Sequence, residues 1–583
     1  MKIFVNEAAG YEVEAARLHH QTIAFYRAKA EADIRMGHTP YHRWLPYATE
    51  SMLRLYMQSG ETLGVRIAAA RTLAELGFTD VRPDLFELAL EADGLDRQEA
   101  VGGLRPGCLG MNYGDAVPPP LSMEELRTLR TLSQDSESTP NAVANALGLY
   151  YDYGVEGWAD TLAGAWEISP IPVAERILVL LAHSPAHWKR VLQAVSRDTY
   201  DVSTRSNALC TIVEKAEGAT QQKALDLLTD EVSRAEPKRG SMPSYFGFAM
   251  ATLAERAGEK QIPALVSVAE RWLDGAPMGG YSIAEVLVSL CRLEPAVGLR
   301  LLHRAFSHES RVAVRAAWQV ADANTGPSLA RDAMAAFGER PGRQFFGSNL
   351  MGFREVIPLV LDWGGETGRT WLEDHIEGAS ASVLSAIIWH RGGWSAGDLA
   401  RALHEAGVIP FAPAVERNEG WRSLSLIADD SGRSIYIDVK RPHPIEHELN
   451  RMAAVTGGTF APRLGWHLPE TRITLDEGIE VERQTGVDAG FIEEGRLYSL
   501  EFEDEGFVSG RTIAEAANRA LAERSADERF ITLDTEHYWY VDASRASDVL
   551  KRFGIALPKS EAFRDSEPPE WLREMAREAL MER

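Results

Sequence analysis

The chain has 583 residues, with 61 Lys and Arg against 85 Asp and Glu, a formal net charge of −24 and 45% hydrophobic residues. That balance excludes a general nucleic-acid binder, which must neutralise phosphates with Lys and Arg, and it disfavours adhesion to anionic membranes. Cys108, Cys210 and Cys291 lie far apart without a CxxC pair, which excludes a disulfide scaffold and a cysteine zinc finger. The length implies about three to five domains, or one long repeat array with an appended domain. No apolar run near the N-terminus has the roughly 7–15 residues of a signal peptide, and none reaches the roughly 18 of a membrane span, so a cytoplasmic location is expected.

Residues 1–410 read as helix after helix. In the segment from Val65 to Gly77, Val65, Ala69, Leu73 and Leu76 recur at helical spacing, and Gly77 is placed as a stop. Ser310 to Ala321 repeats this grammar, with Val312, Ala313, Ala316 and Ala317. Looser versions occur at 141–149, 173–181, 205–213, 246–253 and 283–290, with starts about 30–40 residues apart, the period of a two-helix repeat. The two close units carry a Val-Arg-x-Ala-Ala-like pattern and resemble HEAT repeats, which implies an α-solenoid with a long surface for binding protein or peptide. Ala69 and Ala317 are expected where paired helices meet. A Gly- and Pro-rich stretch from Gly102 to Pro120 interrupts the pattern and is expected to be a non-helical insertion. Trp363, Trp371, Trp389, His390, Arg391 and Trp394 are expected to cap the last repeat.

The grammar changes after Phe411, and residues 411–560 are expected to form a smaller α+β domain. Strands are expected at 424–427 and 435–439, joined by a hairpin turn at 428–433, and then at 479–483, 489–492, 497–502, 530–533 and 537–541. Helices are expected at 445–454, 512–523 and 546–553, and a C-terminal helix within 561–583, with Trp571, Leu572, Met575 and Leu580 on its packing face.

Three constellations carry possible chemistry. Glu501, Glu503, Asp504 and Glu505 form the densest acidic run, and on a strand Glu501, Glu503 and Glu505 share a face opposite Phe502. His443, Glu446 and His447 fit the H-x-x-E-H zinc pattern, but Pro442 and Pro444 place His443 at or before a helix cap. Asp438 and Lys440 supply the D-x-K half of a nuclease pattern, with the other acid missing across the expected hairpin. No phosphate-binding loop, dinucleotide fingerprint or serine elbow is present. His19, His20 and His38 have no partners at ligand spacing and are expected on the surface.

In composition and architecture the acidic C-terminal domain resembles bacterial immunity proteins, which mask basic active sites of nuclease toxins. The expected function is therefore non-enzymatic protein binding without a cofactor. The expected partner is a protein with a basic surface, not a nucleic acid or a membrane. The alternative is a metal-dependent hydrolase or nuclease within residues 411–560.

Overall fold

The computed structural model describes residues 2–7, 11–41, 44–106, 119–135, 138–197, 199–234, 244–275, 280–338, 353–415, 420–437, 445–476, 479–503, 510–534, 536–557 and 568–581. The chain is mostly helical, with small antiparallel sheets built largely from its C-terminal part. It divides into two compact units, residues 27–320 and residues 1–26 with 321–583, the division falling inside helix α1 (Glu12–Arg35). Among the described residues no helix is long and apolar enough to cross a membrane.

Residues 27–320 are helical repeats. After α1 come α2 (Glu50–Ser59), α3 (Leu63–Glu75), α4 (Arg82–Glu91), α5 (Gly94–Gly103), α6 (Met123–Gln134), α7 (Pro140–Asp152), α8 (Trp158–Trp166) and α9 (Ile171–Leu181). They continue as α10 (Trp188–Val195), α11 (Val202–Lys215), α12 (Gly218–Arg234), α13 (Ser244–Arg256), α14 (Ile262–Leu273), α15 (Gly280–Leu293), α16 (Pro295–His308) and α17 (Ser310–Val320). The odd helices from α3 to α17 each stack on the next odd one, forming one layer. The even helices pack against them as a second, more loosely stacked layer. All seven segments singled out in the sequence fall in the odd layer. The reason is burial: α3 buries eight of its thirteen residues, including Ala69, and in α17 Ala317 is fully buried. Such helices are dense in Ala, Leu and Val, whereas the even helices show water one face.

Side chains rather than loops set the joints between helices. The Ser122 hydroxyl accepts from the Glu125 N–H while the Glu125 carboxylate accepts from the Ser122 N–H, a reciprocal cap that starts α6. Arg205 on α11 makes a bidentate pair with Glu231 on α12, both bonds 2.9 Å, with side chains only 8% and 10% exposed. Helix α5 runs to Gly103, so the expected insertion starts later than Gly102; residues 107–118 lie outside the described residues. Gly103 is needed there because a Cβ would run into the Arg71 side chain.

In the other unit, helices Gly326–Gly338, Phe353–Trp363, Ala381–Gly392 and Gly420–Asp430 again stack in succession. The last of these corrects the expected strand at 424–427 and its hairpin. Ser423, Leu424, Ile427 and Ala428 are all fully buried, a helical stripe that a four-residue apolar run does not distinguish from a strand. Trp389 and Trp394 pack on Phe553.

Two sheets follow. The first has strand order β1-β5-β4-β3, from β1 (Lys2–Glu7), β3 (Arg463–Asp476), β4 (Ile479–Glu493) and β5 (Arg496–Glu503). The second has order β2-β7-β6, from β2 (Ser434–Tyr436), β6 (Glu528–Asp534) and β7 (His537–Asp542). The expected segments 479–483 and 489–492 are one continuous strand, and β1 and β3 had no expected counterpart. Ala489, Phe491, Tyr498 and Leu500 share a core with Phe530, Tyr538 and Tyr540 and with helices Ile445–Val455 and Gly510–Glu523. On β7, Trp539 and Val541 point the other way, into a core with Leu424, Ile427 and Val549. The Glu570–Met581 helix packs on Ala381–Gly392, burying Leu572, Ala576 and Leu580 while Trp571 and Met575 are partly exposed.

Candidate functional site

A large concavity lies within the repeat, where the even layer opens. Helices α6 and α8 both pack on α7 but do not stack closely on each other. The turn between α7 and α8 explains the gap. Gly154 and Gly157 both take left-handed backbone (φ 58° and 72°), which reverses the chain, and α8 is only nine residues long. The result is a groove of about 1080 Å³.

Its floor is apolar, with Val143, Leu147 and Tyr150 of α7 and Val173 of α9. At the rim Met123 and Ile168 are 70% and 87% exposed, unusual for large apolar side chains. Arg127 and Arg130 line the α6 side, and Glu156 and Asp160 the α8 side. Asp160 also lies 3.2 Å from His187 Nε2. Among the described residues Arg127, Arg130 and Glu156 form no ion pair, so these charges face water.

Beside the groove, the start of α6 is held by side chains. Arg82 holds Glu125 through two bonds of 2.6 and 3.1 Å and donates to the Pro119 and Pro120 carbonyls. Burial alone raises the Glu125 carboxyl, but the Ser122 N–H, Arg82 and the Ser122 hydroxyl together hold it below its ordinary value. The Tyr153 hydroxyl donates to the Leu104 carbonyl at 2.6 Å, and burial pushes it up to about 12. Tyr153 and Arg82 thereby pin the two ends of the Gly- and Pro-rich stretch.

The sequence-derived candidates fare differently. Asp438, Lys440, His443, Asp504 and Glu505 lie outside the described residues. Glu501 and Glu503 lie on β5, where Glu501 is in register with Lys2 of β1 and Asp488 of β4. Glu446 and His447 fall in the first turn of the Ile445–Val455 helix. Glu446 Oε1 lies 3.9 Å from His19 Nε2, and His19 Nδ1 meets the Gly465 carbonyl at 2.7 Å. His19 is thus half-buried against the first sheet, not a free surface residue. Among the described residues no group of three His, Cys, Asp or Glu is arranged to hold a metal ion.

Sequence reasoning missed one buried polar cluster. The Tyr26 hydroxyl lies 2.5 Å from His467 Nδ1, and the His467 N–H donates to Thr22 Oγ1 at 2.9 Å. All three residues are at most 1% exposed, so this is a lock between α1 and β3, closed to any ligand. Residues so distant in sequence carry no local signal of their meeting.

No protein-family model and no curated protein matches the chain. A solved structure described as a circular tandem repeat protein with novel repeat topology and enhanced subunit contact surfaces is 14% identical, over 76% of this chain and 88% of that one, with a TM-score of 0.12. The helical-repeat character of the chain therefore rests on its own packing.

Proposed function

We propose that the chain is a non-enzymatic protein-binding protein, that its helical repeat is a HEAT-like solenoid, and that the α6–α8 groove receives an amphipathic helix of its partner. The observation that carries this reading is the groove itself: an apolar floor, exposed apolar rim residues, and walls of opposite charge. Its volume matches about two turns of a helix about 10–12 Å across. A helix in that position places its apolar stripe on Leu147 and Tyr150, acidic residues toward Arg127 and Arg130, and basic residues toward Glu156 and Asp160.

The test is a titration of the full chain with a labelled designed helix carrying a Leu stripe, a Glu flank and a Lys flank. Ile168→Asp should weaken binding about tenfold or more, since it places a charge at an apolar rim. The melting temperature should not move, because Ile168 is exposed. Equal binding by both proteins removes the groove from the account.

A sharper form of the proposal is an immunity-type inhibitor whose acidic C-terminal face occludes a basic partner. The net charge of −24 and the acidic run Glu501, Glu503, Asp504 and Glu505 support it. Association with such a partner should slow as salt screens charges beyond about 8–10 Å, and slow further in a Glu501→Lys, Glu503→Lys variant. A rate indifferent to both leaves the acidic run as a solubility device.

A further inference from the structure

The odd layer carries a second feature, at the C-terminal ends of its helices. Lys215, the last residue of α11, has Nζ 2.8 Å from His183 Nδ1, just beyond α9. The Tyr151 hydroxyl at the end of α7 lies 3.2 Å from the same nitrogen. One lone pair cannot satisfy two donors, so the ammonium fixes His183 Nδ1 as the acceptor and its proton sits on Nε2. Burial and then Lys215 hold the imidazole below its ordinary pKa, in keeping with a neutral ring.

Next to this trio, Arg105 Nε lies 3.4 Å from Asp152, which follows Tyr151 on α7. Arg176 of α9 approaches the same place. It is exposed to water yet has lost basicity, first to desolvation by the surrounding protein and then to the charge of Arg105, while Asp152 restores only part. Arg105 and Arg176 thus both act on the Asp152 carboxylate. Among the described residues Arg176 forms no ion pair of its own.

The donor inventory is lopsided. Arg105, Arg176 and Lys215 carry three positive charges, and the Tyr151 hydroxyl and His183 Nε2–H add neutral donors, against the Asp152 carboxylate. Helix dipoles favour cations at C-termini and account for Lys215 and Arg105. They do not account for Arg176, which sits five residues before the end of α9 beside another guanidinium.

We propose that this edge of the odd layer binds oxyanions, one between Arg105 and Arg176 and one at Lys215, His183 and Tyr151. Arg176 lies on α9 and His183 two residues beyond its end, seven residues further on and about 10 Å along the axis. That spacing suits two carboxylates three residues apart on an acidic segment in the polyproline II conformation, which repeats its face every three residues at about 3.1 Å per residue. The site is separate from the α6–α8 groove and stands whether or not the groove binds a helix.

Two probes distinguish a small oxyanion from an acidic segment. The full chain is titrated with inorganic phosphate and with a peptide bearing two Glu three residues apart, and a Gln version serves as control; Trp158, 5.0 Å from Tyr151, is a local fluorescence reporter. Saturable binding of the Glu peptide, tighter than the Gln peptide and weakened about tenfold or more by Arg176→Gln or Lys215→Gln, supports an acidic segment. Phosphate binding weakened by the same variants, without peptide binding, supports a small oxyanion. Both variants change exposed side chains, so an unchanged melt separates lost binding from lost folding. No saturable response to either probe, or binding indifferent to both substitutions, overturns the proposal.

Discussion

The two units of this chain close over very different sequence distances. In the helical repeat the buried polar joints are local: Arg205 and Glu231 are 26 residues apart, Arg82 and Glu125 are 43. In the sheet-containing unit Tyr26 and Thr22 reach His467 across 441 and 445 residues. A repeat assembles from neighbours, so a fault should remain near its origin. A sheet whose first strand is the first segment of the chain depends on the loop-closure entropy of almost the whole molecule.

Removing the most distant element should have the largest effect. Deleting Lys2–Glu7 strips six register positions from β5 and exposes a sheet edge. At about 0.5–1.5 kcal/mol of net stability per hydrogen bond, about six ladder bonds contribute roughly 3–9 kcal/mol. Hydrogen exchange should accelerate across residues 463–503 and stay unchanged in α9 to α12. Acceleration throughout both units would mean that they unfold as one and would erase the comparison.

Arg205→Leu is the reciprocal cut. It leaves the Glu231 carboxylate buried without its partner, at a cost of about 3–5 kcal/mol. Exchange should rise in α11 and α12 and not in β3 to β5. Two glycine substitutions then ask whether the packing tolerances of the units differ. A Cβ at Gly298 would meet the backbone of Cys291 where α15 and α16 cross, and a Cβ at Gly490 would meet the Trp466 ring and the Tyr498 carbonyl. Each alanine variant should lose about 1–3 kcal/mol in chemical denaturation. A neutral result at either position means that its neighbours yield.

The smallest effect concerns pH. Glu125 is held below its ordinary value of 4.5 in the folded chain, so its stabilisation is complete above that value and is lost as pH falls through the folded pKa. Glu125→Gln should therefore lower stability at neutral pH, and the deficit should shrink under acid, below about pH 4.5, as the native carboxylate protonates. A deficit constant down to the lowest pH at which the native fold survives would assign the role of Glu125 to packing.

The same contrast governs what the sequence makes legible. Val65, Ala69 and Leu73 announce a buried helix because its periodic face is contiguous in the chain. The groove arises from the short length of α8 and its loose stacking against α6. No motif records a gap. In the C-terminal part β4 and β5 alternate visibly, but β1 and β3 do not. Lys2–Glu7 is a short apolar segment ended by acid, and its strand identity comes wholly from β5. Leu424 and Ile427 are ambiguous for the opposite reason: three residues apart, they fit a helix face, but a four-residue run also fits a buried strand. Arg105, Arg176 and Lys215 are each unremarkable surface cations in sequence, and only the parallel stacking of the odd helices gathers them.

The most direct measurement of the central claim is a charge swap across the groove. Three designed helices share one Leu stripe and carry Glu and Lys flanks, Lys on both, or Glu on both. Their affinities are measured for the wild type and for the Arg127→Glu, Arg130→Glu variant. Binding in the groove predicts that the wild type prefers mixed flanks and that the variant, with two acidic walls, prefers Lys on both. The same order of preference in both proteins would contradict the account, because the walls of the groove would then take no part in binding.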